Sequence, residues 1–196
     1  MKKRAEKYFI LAKQYLETSR LLLKTLIESG NTNWGFGESE KEACEEADRN
    51  ALNSDTTLFI PAIFNCYQSI ELIVKGLILL NNQEFKCTHK VKILISQLES
   101  IYTKQSEVYI KINDFYNKQI EIINNFKNTN RISTTKELYE ALRYPESNNS
   151  NVEGKKFYDY YDLKYNGDFG IENFKCLYKR LQDLKNVVFK EYNNKC

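Results

Sequence analysis

Apolar residues recur along most of the chain at alternating spacings of three and four, the repeat of helices with one face turned inward. The first such stretch, about Ala5 to Ser29, carries Tyr8, Ala12, Tyr15, Ser19, Leu22 and Leu26 on one stripe, and Gly30 is a natural stop. The second places Phe59, Ile63, Cys66, Ile70, Ile73, Leu77 and Leu80 on its stripe. Pro61 lacks an amide hydrogen and suits a first turn, so this helix is expected to start near Thr57. Thr88 can cap a third helix, His89 to about Tyr102, with Val91, Leu94, Ile95 and Leu98 as its apolar face. A fourth runs from about Ser106 to Lys127 through Tyr109, Ile112, Tyr116, Ile120, Ile123 and Phe126. TTKELYEALRYP reads as a short helix ending near Arg143, because the residue before a proline is pushed out of the α region. A last helix starts near Asp168 and carries Phe174, Leu177, Leu181, Leu184 and Val188. No strand alternation competes, so the pattern predicts an all-α fold, an antiparallel up-and-down bundle of about five main helices.

Two segments break the repeat. Residues 31–54 open with NWGFG, a glycine-flexed aromatic turn, and continue as ESEKEACEEADRNALN, which predicts a short, solvated acidic helix with Ser39 and Glu42 placed as a capping box. This reads as an insertion whose charge run faces solvent. Residues 146–169 form a polar, tyrosine-rich loop ahead of the last helix.

The 196 residues are expected to make one domain, enough to bury roughly 70% of the surface of the unfolded chain. A net charge of +3 is too mild to announce a nucleic-acid binder by itself. Five cysteines are spread without a CxxC pair beside one histidine, so neither a zinc site nor any other cofactor is expected. Met1-Lys2-Lys3-Arg4 runs into an amphipathic helix rather than an apolar leader, and the oily run Leu72 to Leu80 is short and carries Lys75. A soluble, cytoplasmic protein with no membrane partner is the expectation.

Inside that oily second helix sits a polar strip. Asn65, Gln68, Glu71 and Lys75 fall within about a third of the circumference by the 100° helical step, with Glu71 four residues N-terminal to Lys75, the better order for an ion pair. Either this is the solvated edge of an amphipathic helix, or it faces a cleft or a subunit interface.

The order of features narrows the choice. AIFNCYQSIELIVKGLILLNN, then THKVKILISQL, then ELYEALRYPES, then a terminal helix, resembles the HEPN domain family of small all-α proteins. In that family a helix with an A-x-E-x-x-x-K type core is followed by His at the next helix start and later by an R-Y-P stretch. Glu71 and Lys75, His89, and Arg143, Tyr144 and Pro145 stand at those places. The resemblance covers Thr57 to Leu98 well and Leu138 to Glu191 loosely, with the insertion outside it.

That resemblance implies a helical bundle that commonly forms homodimers. Some members are ribonucleases, toxins or defence components, using an Arg followed four to six residues later by His. This chain departs from that motif: His89 is its one histidine, no arginine shortly precedes it, and Asn148, Asn149 and Ser150 stand where the His after Arg143 would fall. Other members resemble nucleotide- or partner-binding modules, some encoded beside nucleotidyltransferases. A non-catalytic module for a nucleotide or RNA phosphate, or for a protein partner, is therefore the expectation. A ribonuclease with a rewired site, drawing on His89, Arg143 or Tyr144, and a purely structural dimer are the alternatives.

For ligand binding, Arg143 offers a bidentate guanidinium and Tyr144 a ring face or hydroxyl, with Lys75, Glu71 and Gln68 as further candidates. Lys155 and Lys156 could add charge, and the tyrosines at 158, 160, 161 and 165 could stack on a base. The competing reading has Arg143 serving the carbonyls at a helix end and the tyrosines as amphipathic cover. His89 reads first as a packed or capping residue, with a phosphate contact at a helix start as the alternative.

Overall fold

The computed structural model describes residues 1–146 and 157–195, and within them the chain is all-α, a helical bundle with no strand and one isolated antiparallel bridge from Glu146 to Phe157. The helices are α1 (Lys2–Glu28), α2 (Glu40–Ala51), α3 (Asp55–Leu80), α4 (Val91–Ile101), α5 (Glu107–Asn117), α6 (Glu121–Thr129), α7 (Thr135–Ala141) and α8 (Gly167–Lys195). A 3-10 turn, Tyr161–Leu163, precedes α8. The residues group into two compact units: Met1–Thr18, Asn65–Gln119 and Lys179–Cys196 form one, and Ser19–Phe64 with Ile120–Tyr178 form the other. Helices α1, α3 and α8 each contribute to both.

On α3 every position of the predicted stripe is buried. The helix starts two residues before the expected Thr57, and Pro61 lies in its second turn rather than its first. A residue remote in sequence sets that start: the Asn31 side-chain oxygen accepts the Asp55 N–H at 2.7 Å. Thr57 and Pro61 are both exposed, so water can serve the carbonyl that proline's missing N–H leaves. The helical stretch Glu40–Leu80 contains a window long and apolar enough to cross a membrane, which the shorter run Leu72 to Leu80 did not suggest. That window is 83% buried inside the protein, so its apolarity is spent on the core.

The inner stripe of α1 differs from the expected one by a residue at alternate places. Ala5, Phe9, Leu16 and Leu23 join Ala12, Ser19 and Leu26 in the core, while Tyr8, Tyr15 and Leu22 are half-buried flanks. The two stripes share Ala12, Ser19 and Leu26, so spacing alone does not separate them. The tyrosines settle at the edge, where an apolar ring can be covered while its hydroxyl stays near water. Phe9 packs on Phe189 and Tyr192 of α8 with ring centroids 5.9 and 4.5 Å away.

The expected fourth helix is two helices. Lys118 and Ile120 take extended backbone conformations between α5 and α6, yet Tyr109, Ile112, Tyr116, Ile120, Ile123 and Phe126 are all buried, as one continuous helix would also have buried them. Side chains serve the broken ends: Gln119 Nε2 donates to the Tyr116 carbonyl at 2.6 Å, and Arg180 donates to the Asp114 carbonyl at 3.1 Å. A break that keeps the apolar register is silent in the periodicity. The predicted face of α8 holds, with Phe174, Leu177, Leu181, Leu184 and Val188 buried, and that of α4 holds at Leu94, Ile95 and Leu98, while Val91 at its start is half-buried. Ser39 caps α2 by accepting the Glu42 N–H, and no residue of that helix is buried, as the acidic pattern indicated.

In the second unit, Asp55 is fully buried at the start of α3 and gathers three chain segments. Its carboxylate accepts the backbone N–H groups of Tyr165 at 3.0 Å and Asn166 at 2.9 Å, and the Asn31 amide at 3.1 Å. Asn31 and Tyr165 hold φ of 50° and 60°, left-handed backbone that these hydrogen bonds stabilise. Nothing in the helical pattern marked Asp55. Among the described cysteines all are free; Cys44, Cys87 and Cys176 are exposed, whereas Cys66 is buried on α3 and burial pushes its thiol pKa far up.

Candidate functional site

In the first unit, the polar strip of α3 does not face solvent. Glu71 and Lys75 are 3% and 7% exposed, and Lys75 Nζ donates to Glu71 Oε1 at 2.6 Å. Burial of an ammonium and a carboxylate is tolerable only with such pairing. Gln68, one turn earlier, is half-buried.

The connection between α3 and α4 lies over this pair. Phe85 places its ring 5.4 Å below Lys75 Nζ and 5.3 Å from the Arg4 guanidinium, while Tyr8 meets it edge-on at 5.4 Å. Arg4 also grips both carboxylate oxygens of Glu84 at 2.7 and 2.8 Å. Four residues further on, His89 Nδ1 sits 2.9 Å from Glu71 Oε1. His89 precedes α4 rather than opening it, because the helix begins at Val91 with Lys90 as an N-cap that makes no side-chain hydrogen bond. Thr88 still accepts the Lys90 N–H, at 3.0 Å, but as a turn before the helix. The His89 side chain is 87% exposed, while the Glu71 side chain that it meets is 4% exposed.

Chemistry assigns the direction of that bond. A carboxylate accepts from a ring N–H, so Nδ1 is the nitrogen that donates to Glu71, and in the tautomer with its one proton there the Nε2 lone pair is free. Glu71 and His89 lie 18 positions apart, and periodicity gave no hint that a carboxylate would orient the histidine.

Arg143 and Tyr144 belong to the second unit, just beyond α7. Thr134 and Glu137 form a full capping box at the start of that helix, and Leu142 ends it. Arg143 is exposed, with its guanidinium 5.4 Å from the Tyr139 ring and 5.1 Å from the Tyr144 ring. Tyr139 in turn stacks on Phe64, ring centroids 5.4 Å apart and planes 8° from parallel. Arg143 also donates to the Tyr144 hydroxyl at 3.2 Å, and it forms no ion pair with a carboxylate among the described residues. The guanidinium is thus held by aromatic faces and keeps donors for an anion. Tyr139 is the residue the sequence reading overlooked, although its position four before Arg143 is the helical spacing at which side chains meet.

The tyrosines divide by role. Tyr160 is half-buried and donates its hydroxyl to the Ala141 and Tyr144 carbonyls, tying the loop to the end of α7. Tyr161 and Tyr165 are exposed, with ring centroids 6.0 Å apart. Tyr158 is half-buried, and its N–H donates to the Pro145 carbonyl at 3.0 Å. Lys155 and Lys156 lie outside the described residues. Glu71, Lys75, Gln68 and His89 fall in one unit and Arg143 and Tyr144 in the other.

An all-α bundle with a Glu-x-x-x-Lys pair on its oiliest helix, a histidine ahead of the next, and an arginine–tyrosine–proline turn defines a class of small helical domains. A model of the HEPN domain family matches residues 41–162, more than half of the chain, and the chain belongs to that family. The match begins inside α2, so part of the segment first read as an insertion falls within the family's span, and it ends before α8. No curated protein and no solved structure matches. Membership points to a role connected with nucleotides, RNA or defence.

Proposed function

We propose that the protein is a non-catalytic HEPN module that binds a phosphate-bearing ligand, a nucleotide or an RNA phosphate, at Arg143 and Tyr144. The observation that supports this reading is the state of Arg143: exposed, braced between two tyrosine rings and free of any carboxylate partner among the described residues. A guanidinium already ordered loses less freedom when it meets a phosphate, and its fork matches two oxygens at once. The ring and hydroxyl of Tyr144, 47% exposed, lie beside it for a base or sugar. Glu71 and Lys75 satisfy each other in the core, so the proposal rests on the R-Y-P turn.

Titration calorimetry with ATP, GTP and a short single-stranded RNA tests it. Binding by the wild type that disappears in Arg143→Ala supports the reading; an unchanged isotherm in that variant, or no heat with any of the three, overturns it. The same proposal includes a homodimer and a nucleotidyltransferase-type protein partner in a toxin-antitoxin or defence setting. The dimer is supported by Ile10 and Leu11, 55% and 42% exposed on α1, and a monomeric mass in light scattering would remove it.

A further inference from the structure

The chain's one histidine lies in a setting that the proposed ligand module does not use. His89 Nδ1 is fixed on Glu71, a carboxylate buried in α3 and itself anchored by Lys75, while the rest of the ring is open to solvent. We propose that His89 is a phosphoryl-acceptor site, taking a phosphoryl group on Nε2 from an acyl phosphate or a comparable activated donor.

The balance of the step is simple. The Nε2 lone pair forms an N–P bond, the P–O bond to the donor's leaving group breaks, and the electron pair departs with that group as a carboxylate. The imidazole ring becomes cationic as the bond forms. Glu71, already accepting from Nδ1–H, stabilises that charge without moving, because helix α3 and Lys75 hold its position. The donor's negative charge finds Lys86, Lys90 and Lys92, three exposed lysines flanking His89 in sequence. The start of α4 directly after it has no side-chain cap on its first amides.

The alternative chemistry for such a histidine is proton transfer in RNA cleavage, which calls for a second group to protonate the departing oxygen. Lys75, the other partner of Glu71, is buried and paired. Transfer from an activated phosphate needs only the nucleophile.

The test uses the full chain with acetyl phosphate, read by intact mass and phosphorus NMR. One phosphoryl group, acid-labile and absent from His89→Gln, is expected, forming faster than on a peptide copying residues 84–92. Glu71→Gln keeps the shape and removes the charge, and should slow the reaction roughly tenfold. Because that change strands Lys75, the double variant Glu71→Gln/Lys75→Met serves as the folded control and should be slow as well. A rate equal to the peptide's, a rate unaffected in both variants, or a label on another residue would overturn the proposal.

Discussion

Lys75 Nζ lies 2.6 Å from Glu71 Oε1 across one turn of α3, with both side chains buried. Removing one member leaves an uncompensated charge in the core, whereas removing both leaves only apolar volume to fill. Glu71→Ala is expected to lower the unfolding free energy by about 3–5 kcal/mol in urea titration. The double replacement Glu71→Leu/Lys75→Met should recover most of that loss. Equal destabilisation by the single and double changes would show that the pair's charges do not set the cost.

The aromatic brace of Arg143 separates ring from hydroxyl. Tyr144→Phe removes the 3.2 Å hydrogen bond but keeps the ring beside the guanidinium. Ligand affinity should fall by about threefold to tenfold, roughly 0.5–1.5 kcal/mol, in the calorimeter used for Arg143→Ala. Tyr144→Ala should lose more; an identical result for the two changes would make the ring idle.

Acid should loosen the start of α7. Burial raises the Glu137 carboxyl pKa, but hydrogen bonds from the backbone and hydroxyls of Ser133 and Thr134 outweigh it, and the net shift is downward from 4.5. A depressed carboxyl pKa contributes stability above the unfolded value, and that contribution is lost as pH falls through the folded one. Glu137→Gln should therefore cost about 0.5–1 kcal/mol at neutral pH and nearly nothing at pH ~3. Denaturation curves of the two proteins at both pH values supply the comparison.

Asp55 should be among the costliest polar positions to change. Asp55→Ala orphans the N–H groups of Tyr165 and Asn166, which it serves at 3.0 and 2.9 Å. A loss of about 2–4 kcal/mol is expected, with faster amide exchange in 165–167 measured by mass spectrometry. Unchanged exchange there would contradict this account of how the turn is held.

Gly35 allows the NWGFG turn to lie on α2. A Cβ at that position would come within 2.4 Å of the Ala43 carbonyl oxygen and the Ala47 nitrogen, both backbone. Gly35→Ala should lift the turn and release α2, which buries no residue of its own. Limited proteolysis between residues 38 and 52 should quicken several-fold while the core melts at nearly the same temperature.

What the sequence showed and hid follows from the range of each interaction. The stripe of α3 and the face of α8 were readable because burial and helical period speak from the same residues. The α5–α6 break was hidden because Ile120, Ile123 and Phe126 keep a register that a continuous helix would share. At the candidate sites the residue types were legible, but their partners were not. Glu71 was seen beside Lys75, four residues off, and missed beside His89; Arg143 was seen, while the Phe64–Tyr139 stack beneath it joins segments that no local pattern connects. The start of α3 was misplaced because Asn31, a loop residue, fixes it.

The thiol of Cys66 carries a practical consequence. A cysteine reagent meets Cys44, Cys87 and Cys176 on the native surface, but Cys66 is shut inside α3 with its reactive thiolate form suppressed by burial. Alkylation at Cys66 therefore proceeds only through molecules in which α3 has come away from the residues packed on it. Its rate is a built-in clock for that opening, legible by peptide mass without a dye, a tag or an engineered residue.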